Sequence, residues 1–157
     1  MPCIELTTPI AAPLERVFDL SRSIDLHLAS TASTGERAVG GITSGLIGKD
    51  QEVVWRAKHF GIWQTLSSRI TAYDRPRYFR NSMVRGAFRR IDHDHYFEVS
   101  GAGTLMRDVF EFESPLGFLG RMADWVILER YMKSFLIERN RVIKATAESD
   151  TWKTFLK

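Results

Sequence analysis

Residues 104–147 read TLMRDVFEFESPLGFLGRMADWVILERYMKSFLIERNRVIKATA, and this stretch decides the fold. Its first part, Thr104 to Phe112, alternates apolar and polar residues and predicts a strand. After Ser114-Pro115, a favourable helix start, apolar residues recur at helical spacing to residue 147. A helix over 117–147 spans about 45 Å at 1.5 Å per residue. A helix of that length after antiparallel strands is best accommodated across the concave face of a curved sheet.

The residues before this stretch supply the sheet. Apolar and polar side chains alternate through 53–59 and again through 64–73, and Gly61 lies between the two runs. This pattern predicts a long hairpin with a tight turn. Further strands are expected over 78–84 and 88–99, each preceded by a turn signal.

The N-terminal third has a different order of elements. Alternation over 4–10 predicts a first strand, and Ala12-Pro13 begins a short helix. A second short helix is expected over 24–29. The glycine-rich segment 34–48 fits a short strand and a flexible loop, which serves either as a gate or as a plain connection.

Composition predicts one ordinary domain over residues 1–157. The chain is 44% apolar, 26% charged and 11% aromatic, and it has neither internal repeats nor linkers. Folding at this length buries roughly 70% of the unfolded surface, enough for a core and a cavity. The single cysteine, Cys3, the lack of a signal segment and the absence of an apolar run of about 20 residues predict a cytoplasmic protein with no membrane span.

The net charge of +3 is unevenly distributed, because seven arginines and one acid, Asp74, lie between Arg69 and Arg90. Such a cluster is compatible with nucleic acid or an anionic ligand. No recognition helix, zinc finger or RNA-binding aromatic motif accompanies it. We therefore interpret the arginines as the solvated face of the sheet and expect no nucleic-acid partner.

Five segments resemble one known superfamily. They are VVWRAKHFGIWQTLSSRITAYDRPRYF (53–79), MVRGAF (83–88), HDHYFE (93–98), GTLMRDVFEFESPLG (103–117) and RYMKSFLIERNRVIK (130–144). Together with the order of elements, they resemble the START and polyketide cyclase/dehydrase (SRPBCC) superfamily, in particular a bacterial ligand-binding subfamily. The resemblance implies an α+β helix-grip fold, in which six to seven antiparallel strands wrap around the long C-terminal helix. It also implies a cavity between sheet and helix, but no particular reaction.

If the apolar side chains of each strand face inward, several polar ones share the interior with them. Burying such groups without partners costs roughly 1–3 kcal/mol each, so a cavity explains them naturally. The residues that we expect to line this cavity are Trp55, His59, Gln64, Leu66, Phe79, Asn81, His93, His95, Phe97, Met106, Asp108, Phe110, Trp125 and Met132.

His93-Asp94-His95 is the most suggestive short motif, since residues i and i+2 of a strand project from one face. Its histidines can form hydrogen bonds within a half-polar cavity. They can also bind a divalent metal together with His59 or Asp108, or transfer protons with Asp108 as orienting acid. We favour the first interpretation and expect neither a metal nor a cofactor. No phosphate loop, dinucleotide fingerprint or Ser-His-Asp signature is present.

The favoured function is the binding of a hydrophobic small molecule of lipid, polyketide, quinone or aromatic type by a monomer or homodimer. The alternative is a cyclase, dehydratase or hydrolase that acts on a polyketide-like or aromatic substrate. A third interpretation is an interaction module whose arginine-rich face contacts an acidic protein or RNA.

Overall fold

The computed structural model describes residues 2–114 and 123–157, with side chains described from residue 126 in the second range. Residues 117–122 of the predicted helix therefore lie outside the described residues. The strands are β1 (Cys3–Ile10), β2 (Arg37–Gly41), β3 (Glu52–His59), β4 (Ile62–Asp74), β5 (Tyr78–Arg85), β6 (Arg90–Ser100) and β7 (Gly103–Glu113). The helices are α1 (Leu14–Ser21), α2 (Ile24–Ser30), α3 (Ala123–Ala147) and α4 (Trp152–Phe155), and a 3₁₀ turn covers Ala32–Thr34.

The strands form one antiparallel sheet of seven, in the order β1-β7-β6-β5-β4-β3-β2. Only β1 leaves the sequential order, because it pairs with β7 after the chain has crossed the whole sheet. Register shifts in the β2–β3 and β4–β5 pairs mark bulges, which bend the sheet. The structure confirms the α+β prediction and the number of strands.

Local chemistry explains where the predicted elements begin and end. The β3–β4 turn consists of Phe60 and Gly61, both with positive φ (53° and 76°), as a two-residue hairpin turn requires. Helix α2 begins after Ser23, whose side chain accepts a hydrogen bond from the Leu26 backbone N–H at 3.2 Å. The sequence predicts Pro13 in the first turn of α1. In the structure its backbone is extended, and the helix begins one residue later, at Leu14.

One end of the sheet's concave face is closed by α1. Its Phe18 is fully buried and makes edge-to-face contacts with Tyr73, Phe79 and Phe97 at ring-centroid distances of 5.2–5.6 Å. The C-terminal half of α3 joins this core through Ile143. The core therefore fills one end of the concave face, and a cavity remains beside it.

Most of the arginine cluster lies on the convex face or at its edge. Arg80 pairs with the buried Asp94 at 2.7 Å, and Arg90 pairs with Asp92 at 2.5 Å. The other arginine–carboxylate pairs of the cluster are Arg69–Glu52, Arg75–Asp19 and Arg89–Glu113. Because most of these arginines pair with carboxylates of the same protein, we interpret the cluster as part of the solvated face of the sheet. Within the described ranges, no helix is both long and apolar enough to cross a bilayer.

Candidate functional site

A cavity of about 510 Å³ lies between the concave face of the sheet and α3. This volume falls within the range typical of small-molecule sites, roughly 300–1,000 Å³. Its wall is mostly apolar and includes Ala57, Ile70, Met83, Leu128, Phe135 and Leu136. Phe60 and Ile127 also line it and are 58% and 59% exposed, so among the described residues the cavity reaches the surface between the β3–β4 turn and α3.

Most of the residues expected at the cavity lie on its wall. They are Trp55, His59, Gln64, Leu66, Phe79, Asn81, His93, His95, Phe110 and Met132. Phe97 and Met106 instead lie in the core, because α1 covers the end of the sheet that carries them. Asp108 lies behind the histidines and is fully buried. The side chain of Trp125 lies outside the described residues.

Strand register places the polar wall residues side by side. Asn81 of β5 pairs with His93 of β6, and His93 pairs with Phe110 of β7. Two residues further along these strands, Phe79 pairs with His95, and His95 pairs with Asp108. Paired residues project from the same face, with Cβ atoms about 5 Å apart. The two histidines are thus held next to one carboxylate.

Asp108 is the centre of a buried hydrogen-bonded cluster. Its Oδ2 accepts from Asn140 Nδ2 at 2.7 Å, and its Oδ1 accepts from His93 Nε2 at 2.9 Å. His95 Nδ1 lies 3.0 Å from the same Oδ1 but is not aligned for a good hydrogen bond. The guanidinium of Arg139, itself buried, lies 3.5 Å away and also donates to the side chain of Asn140. One negative and one positive charge are therefore buried together, with neutral donors around them.

Burial and neighbouring charges determine the protonation states in this cluster. Burial alone would raise the pKa of Asp108, but its contacts with the two histidines and the charge of Arg139 hold that pKa well below 3.8. Burial lowers the pKa of His93 below 6.5 and that of His95 well below it, and Asp108 opposes both shifts only in part. At neutral pH, Asp108 is ionised and both imidazoles are neutral.

His93, His95 and Asp108 also form a group whose ligand atoms all lie within 4.8 Å of one another, close enough to hold a metal ion. Two imidazoles and one carboxylate are a donor set for divalent transition metals. However, Asp108 already accepts hydrogen bonds from His93 and Asn140, and the charge of Arg139 would repel a cation. The contacts favour a hydrogen-bonded cluster over a metal centre.

His59 lies elsewhere on the wall, near the opening. Its Nδ1 is 2.6 Å from the hydroxyl of Tyr131 on α3, and the Asp108 contacts involve His93 and His95 instead. Burial lowers the pKa of His59 and raises that of Tyr131, so both groups are neutral at pH 7. This pair connects the end of β3 to the helix beside the cavity opening.

Two further polar atoms of the wall are buried without a hydrogen-bond partner among the described residues. They are Ser68 Oγ on β4 and Asn81 Oδ1 on β5. Most buried polar groups in folded proteins are paired, so unpaired ones at a cavity call for a physical reason. Both residues line the cavity, so these oxygens lie next to the space that a ligand would occupy.

Sequence reasoning missed Arg139, Asn140 and Tyr131. A signal existed for Arg139, which lies at helical spacing from Met132, Leu136 and Ile143, all on the inward face of α3. A charged residue in an apolar stripe indicates a buried partner. That this partner is Asp108 depends on how α3 packs on the sheet.

No protein-family model and no curated protein matches this chain. Several solved structures match its fold over nearly the whole length. Protein TTHA0849 from Thermus thermophilus is 18% identical, with a TM-score of 0.71 over 93% of this chain and 99% of that one. A START superfamily protein from Mycobacterium smegmatis is 9% identical, with a TM-score of 0.69 over 93% and 97% of the two chains. Ginseng major latex-like protein 151 from Panax ginseng is 17% identical, with a TM-score of 0.67 over 94% and 98%. The chain has the helix-grip fold of START-like proteins.

Proposed function

We propose that this protein binds a hydrophobic small molecule of lipid, polyketide, quinone or aromatic type between its sheet and α3. The observation that carries the proposal is the cavity of about 510 Å³, with a mostly apolar wall and polar side chains at several places on it. Apolar surface supplies the driving force for such a ligand, and a few polar groups fix its orientation. The START-like fold is compatible with this function but does not identify the ligand.

Neighbouring residues of β3 provide a matched test. Ala57 is buried and faces the cavity, whereas Lys58 is exposed on the opposite face. Ala57→Phe places a ring in the cavity, and Lys58→Phe adds the same ring outside it. With the neutral fluorescent probe N-phenyl-1-naphthylamine, we expect one-to-one binding by the original protein. The expected loss is at least tenfold in Ala57→Phe, with little change in Lys58→Phe.

Equal losses in both variants, or no saturable binding by a folded original protein, would contradict the proposal. Circular dichroism and thermal unfolding establish that each variant is folded. Native mass spectrometry of protein purified from its own cells, followed by denaturing extraction, then identifies the natural ligand. Metal analysis of the same sample tests the alternative use of His93 and His95.

One observation favours a second candidate function, a cyclase or dehydratase acting on a polyketide-like or aromatic substrate. Asp108 accepts a hydrogen bond from the neutral imidazole of His93 and lies 3.0 Å from that of His95, and both rings are at the cavity wall, where a neutral imidazole can act as a general base. His93→Gln or His95→Gln would then reduce turnover of such a substrate more than its affinity. Equal losses of turnover and affinity would support a binding role only.

A further inference from the structure

One polar patch of the cavity wall is formed by Ser68, Asn81, His93 and His95 on three adjacent strands, apart from the His59–Tyr131 pair near the opening. Asn81 and His93 are directly paired, and Ser68 of β4 pairs with Met83, two residues along β5 from Asn81, so Ser68 lies diagonal to Asn81. Ser68 Oγ and Asn81 Oδ1 are buried and unpartnered among the described residues. What the patch recognises depends on which atoms of the histidines face the ligand.

Asp108 determines that orientation. An ionised carboxylate only accepts hydrogen bonds, so His93 Nε2, which bonds to it at 2.9 Å, carries the ring proton. His95 Nδ1 lies 3.0 Å from the same oxygen without good hydrogen-bond alignment, and the nearby negative charge favours the proton on that nitrogen too. A neutral imidazole has one protonated nitrogen, and therefore His93 Nδ1 and His95 Nε2 carry lone pairs. Neither of these two atoms has a hydrogen-bond partner among the described residues.

The patch is consequently rich in acceptors. His93 Nδ1, His95 Nε2 and Asn81 Oδ1 accept hydrogen bonds, Asn81 Nδ2 donates, and Ser68 Oγ can either donate or accept. The charge of Arg139 is balanced by Asp108, so an anionic ligand gains little from it. A ligand atom that only accepts hydrogen bonds would leave the imidazole lone pairs unpaired, which is costly in an apolar cavity.

We propose that the ligand carries a hydroxyl group, phenolic or alcoholic, that donates a hydrogen bond to this patch, and that the site selects such ligands over ethers and carboxylates of similar shape. This inference rests on the proposed cavity-binding function. It names the polar end of the ligand, while the apolar wall holds the remainder.

Three naphthalene probes test the inference: 2-naphthol, 2-methoxynaphthalene and 2-naphthoate, titrated at pH 7.5 by isothermal calorimetry. The quantity of interest is the ratio of the Kd of 2-methoxynaphthalene to that of 2-naphthol. Comparing this ratio between variants cancels the different hydration of the two probes. One hydrogen bond in a buried site changes affinity by up to about tenfold.

The variants are Asn81→Leu and His95→Phe, with Thr71→Val as the control. The side chain of Asn81 makes no hydrogen bond within the described protein, so its replacement should not disturb the fold. His95 stacks on Phe79 at 4.2 Å, and a phenyl ring retains that contact. Thr71 lies on β4 like Ser68, but it is exposed and bonded to Ser82 on the opposite face.

We expect the ratio to fall about five- to tenfold in His95→Phe and Asn81→Leu, and to stay within about twofold in Thr71→Val. Equal ratios in all four proteins, with tight binding of the probes, would refute the hydroxyl preference and leave cavity binding intact. Tighter binding of 2-naphthoate than of 2-naphthol would also overturn it and indicate Arg139 as the contact. Failure of all three probes to bind would overturn both proposals.

Discussion

Replacing Asp108 by asparagine tests the buried charge cluster directly. Asp108→Asn preserves the shape of the side chain but removes its charge and leaves the buried guanidinium of Arg139 without a counterion. At 3.5 Å, two unit charges attract by about 5 kcal/mol at an effective dielectric constant near 20. Removing one partner of a buried ion pair typically costs about 3–5 kcal/mol. We expect a loss of that size in the free energy of unfolding.

A double-mutant cycle with Arg139→Met isolates the interaction. Methionine fills the place of the arginine stem without the charge, so the double variant contains no buried charge that lacks a counterion. We expect it to be more stable than the sum of the single losses implies, by about 1–3 kcal/mol. A domain of this size is stable by roughly 5–15 kcal/mol, so the variants should retain a folded baseline.

Urea denaturation at pH 7, followed by tryptophan fluorescence, measures all four proteins. Glu138→Gln serves as the control, because its ion pair with Arg141 is exposed, and the unfolding midpoint should not change. A loss below about 1 kcal/mol in Asp108→Asn, with additive single losses, would refute the assignment of Asp108 as the counterion of Arg139.

Three further perturbations have defined outcomes. Folding lowers the pKa values of His93 and His95 below 6.5, so their contribution to stability is full above that pH and is lost as the pH falls. In urea denaturation between about pH 7 and pH 5, the free energy of unfolding should fall by up to about 1.4 kcal/mol per pH unit for each imidazole. His95→Phe should reduce this slope. Gly41 has φ 68°, and a Cβ added there would overlap a backbone carbonyl of β3. Gly41→Ala should therefore lower the free energy of unfolding, measured by urea denaturation, by about 2–3 kcal/mol, more than Gly101→Ala, where φ is 59° but the space is open. Equal losses in the two variants would contradict the steric argument. Asn81→Leu should raise the free energy of unfolding by about 1 kcal/mol, because it removes an unpaired buried oxygen. A midpoint of thermal unfolding below that of the original protein would contradict this expectation.

The sequence predicts the sheet well because its signals are local. The alternation of apolar and polar residues on either side of Gly61 defines β3 and β4. The turn between them, with its positive φ at Gly61, depends on only two or three neighbouring residues. Helix α4, Trp152–Phe155, has no such signal, since four residues hold little more than one helical turn. Its Trp152 is held by Arg16 of α1, whose guanidinium lies 4.2 Å from the ring centroid, and such a contact is invisible to periodicity.

The candidate site shows the same division between local and distant information. Strand alternation predicts that His93 and His95 share a face, and the structure places both on the cavity wall. Asp108, next to these histidines, pairs with Arg139, which is 31 residues away in sequence. Only the packing of α3 on the sheet joins these two residues, so no local pattern identifies the ion pair or shows that Asp108 lies behind the wall.

The position of Asp108 behind the histidines has a chemical consequence. If the carboxylate itself lined the cavity, it would need solvation or a cation, and an apolar ligand would leave it costly and unpaired. Behind the imidazoles, it is neutralised by Arg139 and acts on the cavity only by fixing which ring nitrogens carry protons. The wall then offers uncharged acceptors of fixed orientation, which an apolar cavity tolerates. The ion pair thereby gives the cavity directional polarity while keeping the carboxylate itself off the cavity wall.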